Sequence, residues 1–217
     1  MTKKFDTIIF DLDGTLLDSG PGIINAVKYA LHKYGIQENN SAILRSFVGP
    51  PLHQQFHACY DFDQAQSLEA VKYFREYYTT KGILENTVYP EIEELLTYLA
   101  DNDYCLLIAS SKPENLVKEI LTQHDLLRYF KYAGGSLLDG SRENKDDVLQ
   151  YVLHSVGIED VNRCLMIGDR KFDILGSRKF KIKSVGVTYG YGSLEELQSV
   201  KADYIIDRPL ALIPILK

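Results

Sequence analysis

Cysteine, positive charge and long apolar runs are all scarce in this 217-residue sequence. The three cysteines, Cys59, Cys105 and Cys164, form an odd, widely spaced set with no Cys-x-x-Cys pair. That excludes a small disulfide scaffold and argues against structural zinc. Cys105 and Cys164 sit beside apolar runs and read as small buried hydrophobes, as expected in a reducing compartment. Lys and Arg number 24 against 30 Asp and Glu, a net charge of −6. An acidic surface repels polyanions, so a nucleic-acid polymer is disfavoured as a partner, although a local basic pocket is not. No uninterrupted apolar stretch approaches the ~18 residues that span a bilayer. The opening residues Met1-Thr2-Lys3-Lys4-Phe5-Asp6 lack the apolar region of a signal peptide. The expectation is a cytoplasmic protein with no membrane partner. Internal repeats and low-complexity stretches are also missing. At 45% apolar and 25% charged residues, the composition excludes collagen and disordered tails and leaves ample material for a core.

What is present is an alternation of short apolar runs with helical periodicity. Thr7-Ile8-Ile9-Phe10 is β-branched and aromatic, and reads as a strand buried on both faces. Ile23, Val27, Ala30, Leu31 and Tyr34 recur at helical spacing, and Gly35 ends that helix. Two short helices are expected over 41–58, divided at Gly49-Pro50-Pro51. A longer one is expected over 64–81, through Leu68, Val71, Phe74 and Tyr78. From Pro90 the rhythm becomes helix, strand, helix. Strands are expected at Cys105–Ala109, Cys164–Ile167, Ser184–Val187 and Tyr204–Ile206. Helices are expected through Ile92–Leu99, after Pro113, over 144–156 and over 172–180. Ser193 and Glu196 have capping-box spacing before a short final helix. Such alternation predicts an α/β fold with a doubly wound parallel sheet, a Rossmann-like core. Residues 16–85 contain helices only, so they are read as an inserted all-helical domain. The core is then 1–15 with 86–217.

In open parallel sheets, ligands bind beyond the carboxyl ends of the strands. After the first predicted strand come Asp11-Leu12-Asp13-Gly14-Thr15. After the second come Ser110-Ser111-Lys112-Pro113. After the third come Gly168-Asp169 and, one helical turn on, Asp173. Each has an ordinary explanation by itself. Asp13-Gly14 is a turn signal, Ser110 could cap a helix, and Asp173 could complement a helix dipole. Their conjunction at one rim is what points to a site. Two carboxylates ~4 Å apart repel by roughly 4 kcal/mol at an effective dielectric of 20. Gathering four therefore calls for counter-charge, and all-oxygen donors suit Mg²⁺.

Phe10-Asp11-Leu12-Asp13-Gly14-Thr15-Leu16-Leu17-Asp18-Ser19 closely resembles the first motif of the haloacid dehalogenase superfamily phosphatases. Ile108-Ala109-Ser110 resembles the second motif, and Gly168-Asp169 with Asp173 the fourth. The third is a lone lysine, assigned by position to Lys145. Lys112 competes for it but lies close to Ser110 in the chain. The resemblance covers essentially the whole chain, and residues 16–85 fall where the family's cap domain enters.

The resemblance implies roles. Asp11 would be the nucleophile, forming an aspartyl-phosphate. Asp13 would be the general acid and then the general base. Ser110 would hydrogen-bond a phosphoryl oxygen, and Lys145 would neutralise the nucleophile and the transferring group. Mg²⁺ would be held by the Asp11 and Asp169 carboxylates and the Asp13 backbone carbonyl, with Asp173 near it or bound through water. Gly14, Thr15 and Ser111, in the same loops, are assigned to substrate binding. An aspartate at position 13 indicates phosphate esters, because a leaving halide needs no proton.

Further stretches narrow the substrate. Thr188-Tyr189-Gly190-Tyr191-Gly192-Ser193-Leu194-Glu195-Glu196-Leu197 resembles phosphoglycolate-phosphatase-like members. Val48-Gly49-Pro50-Pro51-Leu52, Ser111-Lys112-Pro113 and Gly168-Asp169-Arg170 resemble a bacterial 5′-nucleotidase subgroup, from which Phe172, Glu91 and Ser177 depart. A nucleoside 5′-monophosphate is thus the first expected substrate and phosphoglycolate the second. A sugar phosphomutase would use the same Asp pair, and a non-enzymatic binding module would not need the full set. In the insert, Arg45 could clamp an anion or lie solvated on the surface. Tyr73, Phe74, Tyr77 and Tyr78 could line a substrate or pack internally. His53 and His57, four apart with no third ligand nearby, read as surface or cap-packing residues.

Overall fold

A computed structural model describes residues 3–139 and 141–217. The chain divides into two compact units, one running to Leu17 and from Val88 onward, the other Asp18–Thr87.

The first unit is built on a sheet of six parallel strands. In chain order they are β1 (Thr7–Phe10), β4 (Cys105–Pro113), β5 (Tyr132–Ser136), β6 (Cys164–Gly168), β7 (Lys183–Val187) and β8 (Tyr204–Ile206). Between β1 and β4 the chain makes a small two-stranded sheet, in which β2 (Leu17–Asp18) pairs with β3 (Thr87–Val88). The six strands lie in the order β5-β4-β1-β6-β7-β8. The chain therefore steps outward from β1 through β4 to β5, then returns to the other side of β1. Helices α5 (Ile92–Asp101), α6 (Glu114–Gln123), α7 (Lys145–Val156), α8 (Lys171–Lys179) and α9 (Leu194–Ser199) link the strands, and α10 (Ile213–Leu216) closes the chain. Right-handed crossovers put helices on opposite faces on the two sides of β1. The turning point lies between β1 and β6, where doubly wound sheets bind ligands.

Continuous apolar strands form because both faces are covered. Every residue of β1 is buried. Ile9, Leu107, Ala109 and Met166 face α7, meeting Val148, Leu149, Val152 and Leu153. Cys164 belongs to this cluster, and burial raises its thiol pKa to about 11, keeping it protonated and inert. Cys105 is half-buried at its edge.

The segment 16–85, read as helices only, contains β2, and the compact units divide at Leu17 and Val88. Two further features differ from the sequence reading. β5 was not expected, because Tyr132-Ala133-Gly134-Gly135-Ser136 lacks the β-branched signature. Both glycines are required by close approach. A Cβ at Gly134 would lie 2.3 Å from Val152 Cγ2, and one at Gly135 would lie 2.4 Å from the Lys112 carbonyl oxygen. The capping box at α9 is also only half made. Ser193 Oγ accepts from the Glu196 N–H at 3.1 Å, while the Glu196 carboxylate accepts from the Lys171 N–H and Arg170 Nε.

The second unit is helical: α1 (Gly20–His32), α2 (Ser41–Arg45), α3 (Leu52–Tyr60) and α4 (Gln64–Tyr78). α4 packs against α1 and α3. Asp63 and Gln66 make a full capping box that starts α4. Phe74 and Tyr78, four residues apart, stack in the unit's interior with ring centroids 5.2 Å apart. Tyr73 and Tyr77 lie half-buried on a different face, donating to Glu69 and Glu85. His57 is exposed, with Nδ1 2.8 Å from the Phe62 carbonyl oxygen.

Candidate active site

β1 delivers Asp11. Its N–H donates to the Ile167 carbonyl at 2.9 Å, extending the ladder toward β6 and fixing the backbone of the next loop. That loop turns at Gly14, whose φ of +81° is left-handed and whose N–H donates to the Leu17 carbonyl at 2.8 Å. A Cβ at Gly14 would lie 2.2 Å from Asp169 Oδ2. The glycine thus serves both the turn and the close approach of two loops. Thr15 is fully buried, and its hydroxyl has no partner among the described residues.

Lys145, the first residue of α7, organises the centre. Its Nζ lies 2.8 Å from Asp11 Oδ1, 2.8 Å from Asp173 Oδ1 and 2.9 Å from the Ala109 carbonyl oxygen. Two carboxylates and one carbonyl thus surround a single ammonium. Burial by itself would lower the lysine pKa, but the two carboxylates outweigh it and hold the charge firmly in place. Asp173 is doubly used. Its Oδ1 meets Lys145, and its Oδ2 accepts from the Arg170 N–H at 3.0 Å, capping α8. One residue thus starts a helix and joins the acidic cluster.

Asp169, at the end of β6, is completely buried. Its Oδ2 accepts from the Tyr191 N–H at 2.7 Å, while Oδ1 has no partner among the described residues. The loop carrying Tyr191 must come very close. A Cβ at Gly190 would lie 2.2 Å from the Gly14 carbonyl oxygen, and one at Gly192 would lie 1.9 Å from that of Asp169.

Asp11, Asp169 and Asp173 each place a carboxylate oxygen within 4.8 Å of the others. Burial, followed by the charges of Asp173 and Asp11, pushes the Asp169 carboxyl well above the usual range. Asp11 is raised to about 6, again mainly by burial, with Lys145 opposing and Asp173 and Asp13 adding. Hard oxygen donors, suppressed ionisation and an unpartnered Asp169 oxygen together fit a divalent cation such as Mg²⁺.

The structure thus brings Asp11, Asp169, Asp173 and Lys145 into one cluster. Asp13 lies two residues beyond Asp11, and its Oδ2 is 2.9 Å from Lys112 Nζ. Lys112 therefore has a carboxylate of its own rather than competing with Lys145. Ser110 is buried within β4, which runs on to Pro113 beyond the expected end at Ala109, its Oγ accepting from the Lys112 N–H at 3.3 Å. Ser111 is half-buried beside it. Arg45 belongs to the helical unit, exposed in the last turn of α2. The sequence reading missed the Lys112–Asp13 pair, because a lysine two residues beyond Ser110 carries no signal of where a strand irregularity will send it.

This geometry belongs with a known pattern of proteins. Residues 8–187 match the haloacid dehalogenase-like hydrolase family. The chain belongs to that family. Within it, the chain is 42% identical over 196 residues to a 5′-nucleotidase of Pseudomonas aeruginosa, covering 90% of this chain and 88% of the relative. It is 29% identical over 209 residues to a phosphoglycolate phosphatase of Vibrio parahaemolyticus, covering 92% and 91%. A crystal structure described as a predicted phosphatase of Clostridium acetobutylicum superposes with a TM-score of 0.94 at 43% identity, covering 97% of both chains. The chain is a haloacid dehalogenase-like phosphatase. Among its described residues, no helix is long and apolar enough to cross a membrane.

Proposed function

We propose that this phosphatase hydrolyses a small phosphate monoester by two successive displacements, with a nucleoside 5′-monophosphate as substrate. The observation that carries the chemistry is the pair of aspartates at the end of β1. Asp11 is held by a lysine inside an acidic cluster, and Asp13 keeps one buried oxygen that no described residue meets.

In the first displacement Asp11 attacks phosphorus, and Asp13 gives a proton to the departing ester oxygen. In the second, Asp13 takes a proton from water as the water oxygen attacks phosphorus and the Asp11–phosphorus bond breaks. Ser110 donates to a phosphoryl oxygen. Lys145 holds Asp11 in place and offsets negative charge on the transferring group. Gly14, Thr15 and Ser111 frame the phosphoryl group, and Arg45 of the helical unit is assigned to binding substrate. Asp11, Asp169 and the Asp13 carbonyl would hold Mg²⁺ with Asp173 beside them. When bound, Mg²⁺ supplies charge neutralisation for the phosphoryl group.

The nucleotide choice is supported by the extent of similarity to the Pseudomonas 5′-nucleotidase. The Vibrio relative favours phosphoglycolate as the second choice. The test is phosphate release with Mg²⁺ across nucleoside monophosphates, phosphoglycolate and sugar phosphates. The highest kcat/KM is expected for a nucleoside 5′-monophosphate. Preference for phosphoglycolate would replace that assignment while leaving the chemistry intact.

A further inference from the structure

Lys112 reaches the site because β4 is irregular. Ser110 pairs with Gly135, but the next pair in the ladder is Pro113 with Ser136, so Ser111 and Lys112 are extra residues on β4. Bulges of this kind re-aim side chains beside active sites. Two details hold it. The Lys112 N–H donates to Ser110 Oγ, and Gly135 leaves room for the Lys112 carbonyl that a Cβ would strike. The result is a buried ion pair, with Nζ 2.9 Å from Asp13 Oδ2 and side chains 6% and 10% exposed. The other oxygen, Asp13 Oδ1, is buried with no partner among the described residues. Ordering a long lysine and leaving a carboxylate oxygen unpaired are both costly. A ligand atom that comes to Oδ1 accounts for both.

We propose that Lys112 is a positioning residue for proton transfer: by holding Asp13 Oδ2 it presents Oδ1 to the leaving oxygen and then to water. This rests on the phosphomonoesterase reading above. As the ester P–O bond breaks, its electron pair goes to the leaving oxygen, which takes the proton from Oδ1. As water attacks, its proton goes to Oδ1 and the Asp11–phosphorus electrons return to the Asp11 carboxylate. Lys112 also completes the charge balance. With Asp13 carrying the proton it will give, Asp11, Asp169 and Asp173 face Lys112, Lys145 and one divalent cation, so a phosphate dianion meets a site of net positive rather than negative charge.

The test compares Lys112→Met, Lys112→Gln and Lys112→Arg in the full chain with Mg²⁺, on a nucleoside 5′-monophosphate and on nitrophenyl phosphate. Lys112→Met is expected to lower kcat for the nucleoside ester about 10²-fold, as for a misplaced general acid. KM and the nitrophenolate burst should change by less than about twofold, and Lys112→Arg should restore part of the loss. Adding Lys112→Met to Asp13→Asn should cost no more than about twofold further, since both act through one group. If Lys112→Met does not fold, Lys112→Gln, which keeps an N–H donor, should show the same split between the esters. Equal losses in the first step, phosphoenzyme formation, on both esters, a loss confined to KM, or full additivity with Asp13→Asn would overturn the proposal and make Lys112 a plain anion-binding cation. A parent protein that turns over neither ester would instead overturn the underlying reading.

Discussion

At the scale of single residues, the site is a balance of buried charge. Asp11 is paired with Lys145, yet burial raises its pKa to about 6. Replacing it with Asn removes a charge that the fold holds against its preference. Lys145 keeps Asp173 and the Ala109 carbonyl. Asp11→Asn should therefore abolish phosphate release while the metal-free protein melts no lower than the parent at a pH of about 7.5, above the raised carboxyl. Phosphate release near the parent rate would remove Asp11 as nucleophile. Asp13→Asn should divide the reaction instead. An amide gives no proton to a nucleoside alkoxide, so that turnover should fall by the ~10²–10⁴ typical of general acid–base catalysis. Nitrophenolate leaves without help, so rapid mixing should show a burst and then slow hydrolysis of the phosphoenzyme. Equal loss in the first step for both esters would end the assignment of Asp13 as leaving-group acid.

At the scale of elements, positions are set where backbones approach. α7 carries Lys145 at its first residue and Val152 two turns later. The Val152 side chain occupies the space over Gly134 of β5. Gly134→Ala should destabilise the protein by about 1–3 kcal/mol through overpacking. It should also lower Mg²⁺ affinity, by tilting the helix that carries Lys145. Val152→Ala in the same chain should recover much of the Gly134→Ala loss, because it removes the clashing methyl groups. Denaturant unfolding of the two single variants and the double measures this directly. Additive losses would show that the two residues do not share the space.

At the scale of the whole molecule, the acidic cluster links stability, pH and metal. Asp11 and Asp169 have carboxyl groups raised above their ordinary values. A raised carboxyl means that the folded state binds the proton more tightly than the unfolded chain. Stability of the metal-free protein should therefore fall as pH rises from the ordinary Asp11 value of 3.8 through about 6. Mg²⁺ competes with those protons, and ligand binding to the folded state raises Tm. The Mg²⁺-induced rise in Tm should be clearly larger at about pH 7.5 than at about pH 5, on either side of that value. An equal rise at both would place the cation elsewhere.

Five of the six strands of the main sheet, and the acidic residues at their carboxyl ends, are legible in the amino-acid pattern. Thr7–Phe10 and Tyr204–Ile206 were legible to the residue, the first because a strand buried on both faces is an uninterrupted apolar run, the second as a β-branched and aromatic run although it lies partly buried at the sheet edge. Asp11, Asp13, Asp169 and Asp173 were legible as neighbours because a parallel sheet gathers its strand ends at one rim. Tertiary structure alone decided the rest. Gly134 and Gly135 form a strand for lack of a Cβ, which only the positions of Val152 and the Lys112 carbonyl make necessary. The Glu196 carboxylate leaves its own helix for Arg170 and Lys171, partners that chain spacing does not reveal. Lys145 and Lys112 were two candidates for one role until a helix start sent one to Asp11 and a two-residue bulge sent the other to Asp13. Local pattern reports what a residue can bury or donate. Which carboxylate a lysine meets depends on backbones far apart in the chain, and packing settles that.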